Sequence, residues 1–108
     1  MNRLDFKVND FGPWERRKAF YLINLAEDMG FFLDDCAVGL NMTSGNVYIW
    51  SNAEDLALYL PISCELNRSY VWVAWIGDNG DERVIKMGDC YTLEDLHKLI
   101  EDNPEGEE

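Results

Sequence analysis

Tyr70-Val71-Trp72-Val73-Ala74-Trp75-Ile76, then Gly77-Asp78-Asn79-Gly80-Asp81, then the returning run Arg83 to Asp89, is the stretch that decides the fold. The first run is β-branched and aromatic, which suits a pleated, half-buried surface. Asn79-Gly80 is the dipeptide that a tight hairpin turn favours, because both residues tolerate positive φ. An antiparallel hairpin is therefore expected here. Side chains of a strand alternate between faces, so the hairpin sorts its residues into two sets. Val71, Val73, Ile85 and Met87 form one set, with Trp75 joining it by parity. Tyr70, Trp72, Ala74, Ile76, Val84 and Lys86 form the other.

Working back along the chain, more strands precede the hairpin. Cys36 to Leu40 is a short apolar run closed by the turn-rich Asn41-Met42-Thr43-Ser44-Gly45-Asn46. Val47 to Ser51 follows, then a turn at Ser51-Asn52-Ala53-Glu54-Asp55. Leu56 to Leu60 reads as a strand stopped by Pro61, or else as a helical turn capped by Asn52; the strand is preferred. Leu4-Asp5-Phe6-Lys7-Val8 alternates and is a candidate edge strand.

Helices flank these strands. Pro is pre-organised for a first helical position and Gly is a natural stop, so Gly12-Pro13 and Gly30 bound a helix over 13–29. Trp14, Ala19, Tyr21, Leu22, Ile23, Leu25, Ala26 and Met29 share its apolar side, opposite Arg16, Arg17, Asn24, Glu27 and Asp28. Phe20 points with the polar group. Glu15 and Lys18 lie on the apolar side in the opening turns, where a helix often projects past its core. At the other end, Thr92-Leu93-Glu94-Asp95 has the form of a capped helix start. Leu93, Leu96, Leu99 and Ile100 make the stripe, and Asn103-Pro104 ends it. The expected fold is α+β: an N-terminal helix, an antiparallel sheet of four to five strands and a C-terminal helix, in two layers. One domain over 1–103 and an acidic tail over 104–108 complete the organisation.

The chain has 108 residues and a net charge of −12. Glu101 to Glu108 holds five acids and no base; without it the chain still has sixteen acids against nine bases. The acidity thus belongs to the domain as well as the tail. Such a charge repels nucleic acid and anionic membrane and favours a basic partner. No apolar run is long enough to span a bilayer, and Met1 to Asp10 lacks a signal-peptide core. Three cysteines, none in a C-x-x-C pair, suit free thiols in a cytoplasmic setting.

No motif names a reaction, a cofactor or a metal. His97 is the sole histidine, and Cys90 lies seven residues before it, so a Cys–His pair is the one conceivable nucleophile arrangement. Nothing in the sequence activates that thiol, and no enzyme is expected. Asp78-Asn79-Gly80-Asp81-Glu82 lacks the twelve-residue calcium-loop pattern.

The informative surface is the second strand set. Tyr48, Trp50, Tyr59, Tyr70 and Trp72 fall on the face opposite the aliphatic Val47, Ile49, Leu56, Leu58 and Leu60. Loops could cover this face as a second small core. It could be a protein interface, since Tyr and Trp are enriched at hot spots. A stacking platform for single-stranded RNA would need a positive groove, and only Arg68, Arg83 and Lys86 are at hand. The expectation is a protein-binding module with no direct nucleic-acid or membrane partner. Trp50, Tyr59, Tyr70 and Trp72 are its candidate anchors, and Asp34, Asp35, Glu54, Asp55, Asp81 and Glu82 its steering acids. An inhibitor that presents carboxylates to a nucleic-acid-handling protein, in the manner of phage-borne antirestriction or anti-CRISPR proteins, is its sharpest form. A homodimer through the aromatic face is the alternative. Arg16-Arg17-Lys18 is expected to pair with surface acids, or else to anchor an acidic segment.

Overall fold

Proline without an N–H loses nothing at the first helical position, and Pro13 takes that place in α1, Pro13–Met29. The structure is a computed structural model and describes residues 8–76 and 82–103. At the far end of α1, Gly30 adopts φ 105°, a left-handed conformation that other residues resist. There the N–H of Gly30 donates to the Glu27 carbonyl at 3.1 Å and that of Phe31 to the Ala26 carbonyl at 3.0 Å.

Five strands follow: β1, Cys36–Asn41; β2, Asn46–Ser51; β3, Leu56–Pro61; β4, Trp72–Ile76; β5, Glu82–Lys86. They form one antiparallel sheet in chain order, β1-β2-β3-β4-β5. The segment from Leu56 is thus a strand and not a helical turn. Tyr70 falls outside β4, in a 3-10 turn over Arg68–Tyr70. Asn67 causes this, because its side-chain oxygen accepts from the Ser69 N–H at 2.9 Å and turns the chain before the sheet begins. The last strand stops at Lys86, and Gly88 turns away at φ 62°. Three sequence expectations lie outside the described residues: the Leu4–Val8 edge strand up to Lys7, the Gly77–Asp81 turn and the tail from Pro104; Val8 itself is helical and buried in the core rather than in a strand. The Ile76–Glu82 pairing nonetheless closes the hairpin as expected.

α2, Leu93–Asp102, begins on a complete capping box. The Thr92 hydroxyl accepts from the Asp95 N–H at 3.1 Å, and the Asp95 carboxylate accepts from the Thr92 N–H at 3.2 Å and the Tyr91 N–H at 2.9 Å. At its other end the Arg83 guanidinium lies 4.7 Å from the Trp75 ring centroid and donates to the Ile100 carbonyl at 2.9 Å. A cation is favourable there, where the helix leaves carbonyls unsatisfied.

Both helices pack on the aliphatic sheet face. Leu22, Ile23, Ala26 and Met29 of α1 and Leu96 and Ile100 of α2 share one core with Val47, Ile49, Leu56, Leu58, Leu60, Val71, Val73, Ile85 and Met87. Each fully buried Leu, Ile or Val there contributes about 1.5–3 kcal/mol. The helix wheel errs at two places. Trp14 is 67% exposed rather than core, and Lys18 is 8% exposed rather than projecting past the core. Phe20, the apparent misfit, packs partly against the core.

Candidate interaction surface

Register places the opposite face in rows. One row runs Gly39, Tyr48, Tyr59, Trp72, Lys86 across all five strands. The next runs Ala37, Trp50, Ala57, Ala74, Val84. None of the large side chains in these rows belongs to the helix-covered core, and Trp50, Tyr59 and Trp72 are half-buried. The face is neither a sealed second core nor a fully bare one, and on it the Tyr59 and Trp72 rings stack on each other.

The first row is a continuous ladder. The Tyr48 ring lies over Gly39, so close that a Cβ there would stand 2.6 Å from Cζ. Glycine in a strand often marks such an approach. Tyr59 and Trp72 stack with centroids 6.3 Å apart, and the Lys86 ammonium sits 5.5 Å from the Trp72 centroid. The second row is mostly small residues. Ala57, Ala74 and Val84 floor a groove of about 280 Å³ whose sides include Tyr48, Tyr59 and Asn46. Trp50 stands at the other end of β2, its indole N–H donating to the Asn52 side chain at 2.8 Å. It therefore offers a ring and no spare donor. Tyr70, 41% exposed, sits on its 3-10 turn and outside the register that orders the face, so the structure does not join it to the other three expected anchors. Tyr48, Gly39 and Lys86 complete the ladder and were not among the expected anchors. Their signal was the lone glycine in β1 and the shared register.

The acids divide by task. Register puts Asp34 and Asp35, the Asn52–Asp55 turn and Glu82 at one end of the sheet. Asp35 is structural there: its carboxylate accepts from the Ala53 N–H, and its carbonyl accepts from the Asn52 side chain at 3.2 Å. Glu54 pairs with His97 Nε2 at 2.7 Å, tying the β2–β3 turn to α2. Asp34 and Asp55 are exposed, and Asp55 sits at φ 52°. Asp81 lies outside the described residues, and Glu82 is placed by its backbone alone. The Glu54–His97 contact is the one carboxylate contact with a basic side chain among the described residues, so Arg16, Arg17 and Lys18 do not pair with acids as expected. Arg16 instead donates to the Phe11 carbonyl at 3.1 Å.

Cys90 and His97 meet different partners. The Cys90 thiol, buried, lies 3.6 Å from the Asp95 carbonyl, and its pKa is pushed up by burial first and the Asp95 charge second. Both causes hold the proton on sulfur, the opposite of what a nucleophile needs. Among the described residues no group of three His, Cys, Asp or Glu side chains could hold a metal, and no helix is long and apolar enough to cross a membrane.

These features define an α+β two-layer domain with one helix-covered and one aromatic sheet face. Comparison with protein-family models, curated proteins and solved structures finds no match.

Proposed function

We propose that the domain binds another protein through the aromatic sheet face, with the acidic sheet end steering the encounter. The observation that carries this reading is the placement of both helices on one face. That leaves the Tyr59–Trp72 stack and the neighbouring groove on the other. Aromatic rings already held against one another bury area with little further loss of rotamer freedom, which is the property of hot-spot anchors. The net charge of −12 favours a basic partner over a second copy of the chain, since two copies repel. The most specific form of the proposal is an inhibitor that meets a nucleic-acid-handling protein on its phosphate-binding surface.

Affinity capture with the native protein and with Trp72→Glu as paired baits tests it. A partner held by the native bait and lost from the variant supports the reading. Its association rate should fall as salt rises, and nucleic acid should compete for it. Equal capture by both baits removes the aromatic face from the account. A stable dimer at micromolar concentration, split by Trp72→Glu, would replace a foreign partner with a second copy.

A further inference from the structure

We propose that a second site, a hollow between the start of α1 and the segment after β3, binds an oxyanion carried on an apolar body. The hollow has a volume of about 390 Å³ and is lined by Trp14, Arg17 and Lys18 of α1 and by residues 62–66. It lies at the end where β3 leaves the sheet and on the helix side, apart from the aromatic face.

Lys18 carries the argument. It is only 8% exposed, yet has no hydrogen-bond or ion-pair partner among the described residues. Burying an ammonium without a partner is costly, so a buried lysine stem normally leads its head to water. Here the hollow is the opening that Lys18 lines. Arg16, two residues earlier, differs: its Nη2 donates to the Asn9 and Phe11 carbonyls while its Nε is buried without a partner among the described residues, whereas the Lys18 ammonium is not among the buried unpartnered atoms and so reaches open space. The only acid one helical turn from Lys18 is Glu15, whose carboxylate folds back to within 2.7 Å of a Cβ position at Gly12. Glu65, on the other wall, is exposed and bonded to neither cation.

The surroundings complete an anion site. Arg17, exposed and unpaired among the described residues, adds a second positive charge with a planar donor fork. Both cations lie in the second turn of α1, on the side that faces the hollow. Trp14, 67% exposed, presents a flat apolar wall, with Ile62 and Leu66 opposite. The volume lies within the range of small-ligand sites. A phosphate monoester or a carboxylate attached to a ring satisfies both halves.

Amide and indole NMR titration of the native protein tests this with four probes: phenyl phosphate, phenylacetate, inorganic phosphate and benzyl alcohol. Saturable shifts at Trp14, Cys64 and Leu66 are expected with phenyl phosphate or phenylacetate, and which one binds tighter identifies the anion. Inorganic phosphate and benzyl alcohol, each offering half of the chemistry, should bind at least several-fold more weakly. Lys18→Met keeps the buried stem and removes the charge, so it should fold, melt no lower than the native protein, and bind the better probe about tenfold more weakly. Trp72→Glu should leave this titration unchanged, which separates the site from the aromatic face. Three results overturn the proposal: no shifts at the hollow with either ring-bearing anion, benzyl alcohol binding as tightly as they do, or undiminished binding by Lys18→Met.

Discussion

Tyr59 and Trp72 stand directly opposite one another on β3 and β4, their rings 6.3 Å apart and within 8° of parallel, on the sheet face opposite α1 and α2. Leu58, one residue earlier, points the other way and is fully buried. The two positions separate binding from folding. Leu58→Ala should cost about 2–5 kcal/mol in urea unfolding. Trp72→Ala should cost only about 1–2 kcal/mol beyond its modest burial, because it loses one stacked pair and the exposed Lys86 contact. If both changes cost the same, the aromatic face is core and the binding reading fails.

The Tyr48–Gly39 approach predicts a coupled pair. Gly39→Ala forces the Tyr48 ring off the sheet and should destabilise by about 1–3 kcal/mol, the usual cost of overpacking. In a Tyr48→Ala background the same change should be nearly neutral. A double-mutant cycle on unfolding free energies measures the coupling, and additive effects would contradict the packing.

Acids at the sheet end should respond differently to charge removal. Asp35→Ala loses the Ala53 N–H bond and should cost about 1.5–3 kcal/mol, as a hydrogen bond to a charged group does. Asp55→Asn keeps a residue that tolerates φ 52° and should change stability by less than about 0.5 kcal/mol. It is therefore the clean probe of steering: association with a basic partner should slow at low salt and converge with the native rate at high salt.

Asp95 gives an acid-side prediction. The Tyr91 N–H, aided by the Thr92 N–H and hydroxyl, holds its carboxyl below the ordinary value, against a smaller opposing desolvation. A depressed carboxyl stabilises the fold above the unfolded pKa of about 3.9, and that stability is lost as pH falls through the lower folded value. The stability gap between the native protein and Asp95→Asn should be widest near neutrality and close in acid. Thr92→Ala, which removes the other half of the box, should cost about 1 kcal/mol.

Thiol reactivity should follow burial. Cys64 is half-buried while Cys36 and Cys90 are buried, so iodoacetamide should label Cys64 first in the native state, as peptide mapping would show. Cys90 has its pKa raised by burial and then by Asp95. Its stabilising contribution is present below the unfolded thiol pKa of about 8.5 and fades as pH rises through the higher folded value. Cys90→Ala should flatten the loss of stability on the alkaline side.

Local signals carried most of the architecture. Pro13 and Gly30 bounded α1, Thr92 with Asp95 opened α2, and alternation sorted the strand residues onto their faces. Trp14 was misplaced because a helical wheel assumes a core along its whole length, whereas the first turn of α1 meets a hollow. Lys18 was misplaced by the same assumption, since its stem reaches the core while its head has an opening beside it. The candidate site was legible only in part. Trp50, Tyr59, Trp72 and Lys86 follow from parity, but the row that joins Gly39 to Lys86 needs a register across five strands. The work done by Asp35 and Glu54 was hidden, because Ala53 and His97 are 18 and 43 residues away.

The sheet order also governs how the chain can assemble. Each strand pairs with its neighbour in sequence, and apart from the ten-residue connection from β3 to β4 the loops are short, so contact order stays low for a sheet protein. Strand pairing can advance one hairpin at a time as the chain leaves the ribosome. The last piece is different. Ile85 and Met87 lack part of their cover until Leu96 and Ile100 arrive, and until then both faces of the final hairpin meet solvent. The interval between closing β5 and docking α2 is where a nascent chain is most exposed to aggregation, and where a chaperone would find its longest apolar target.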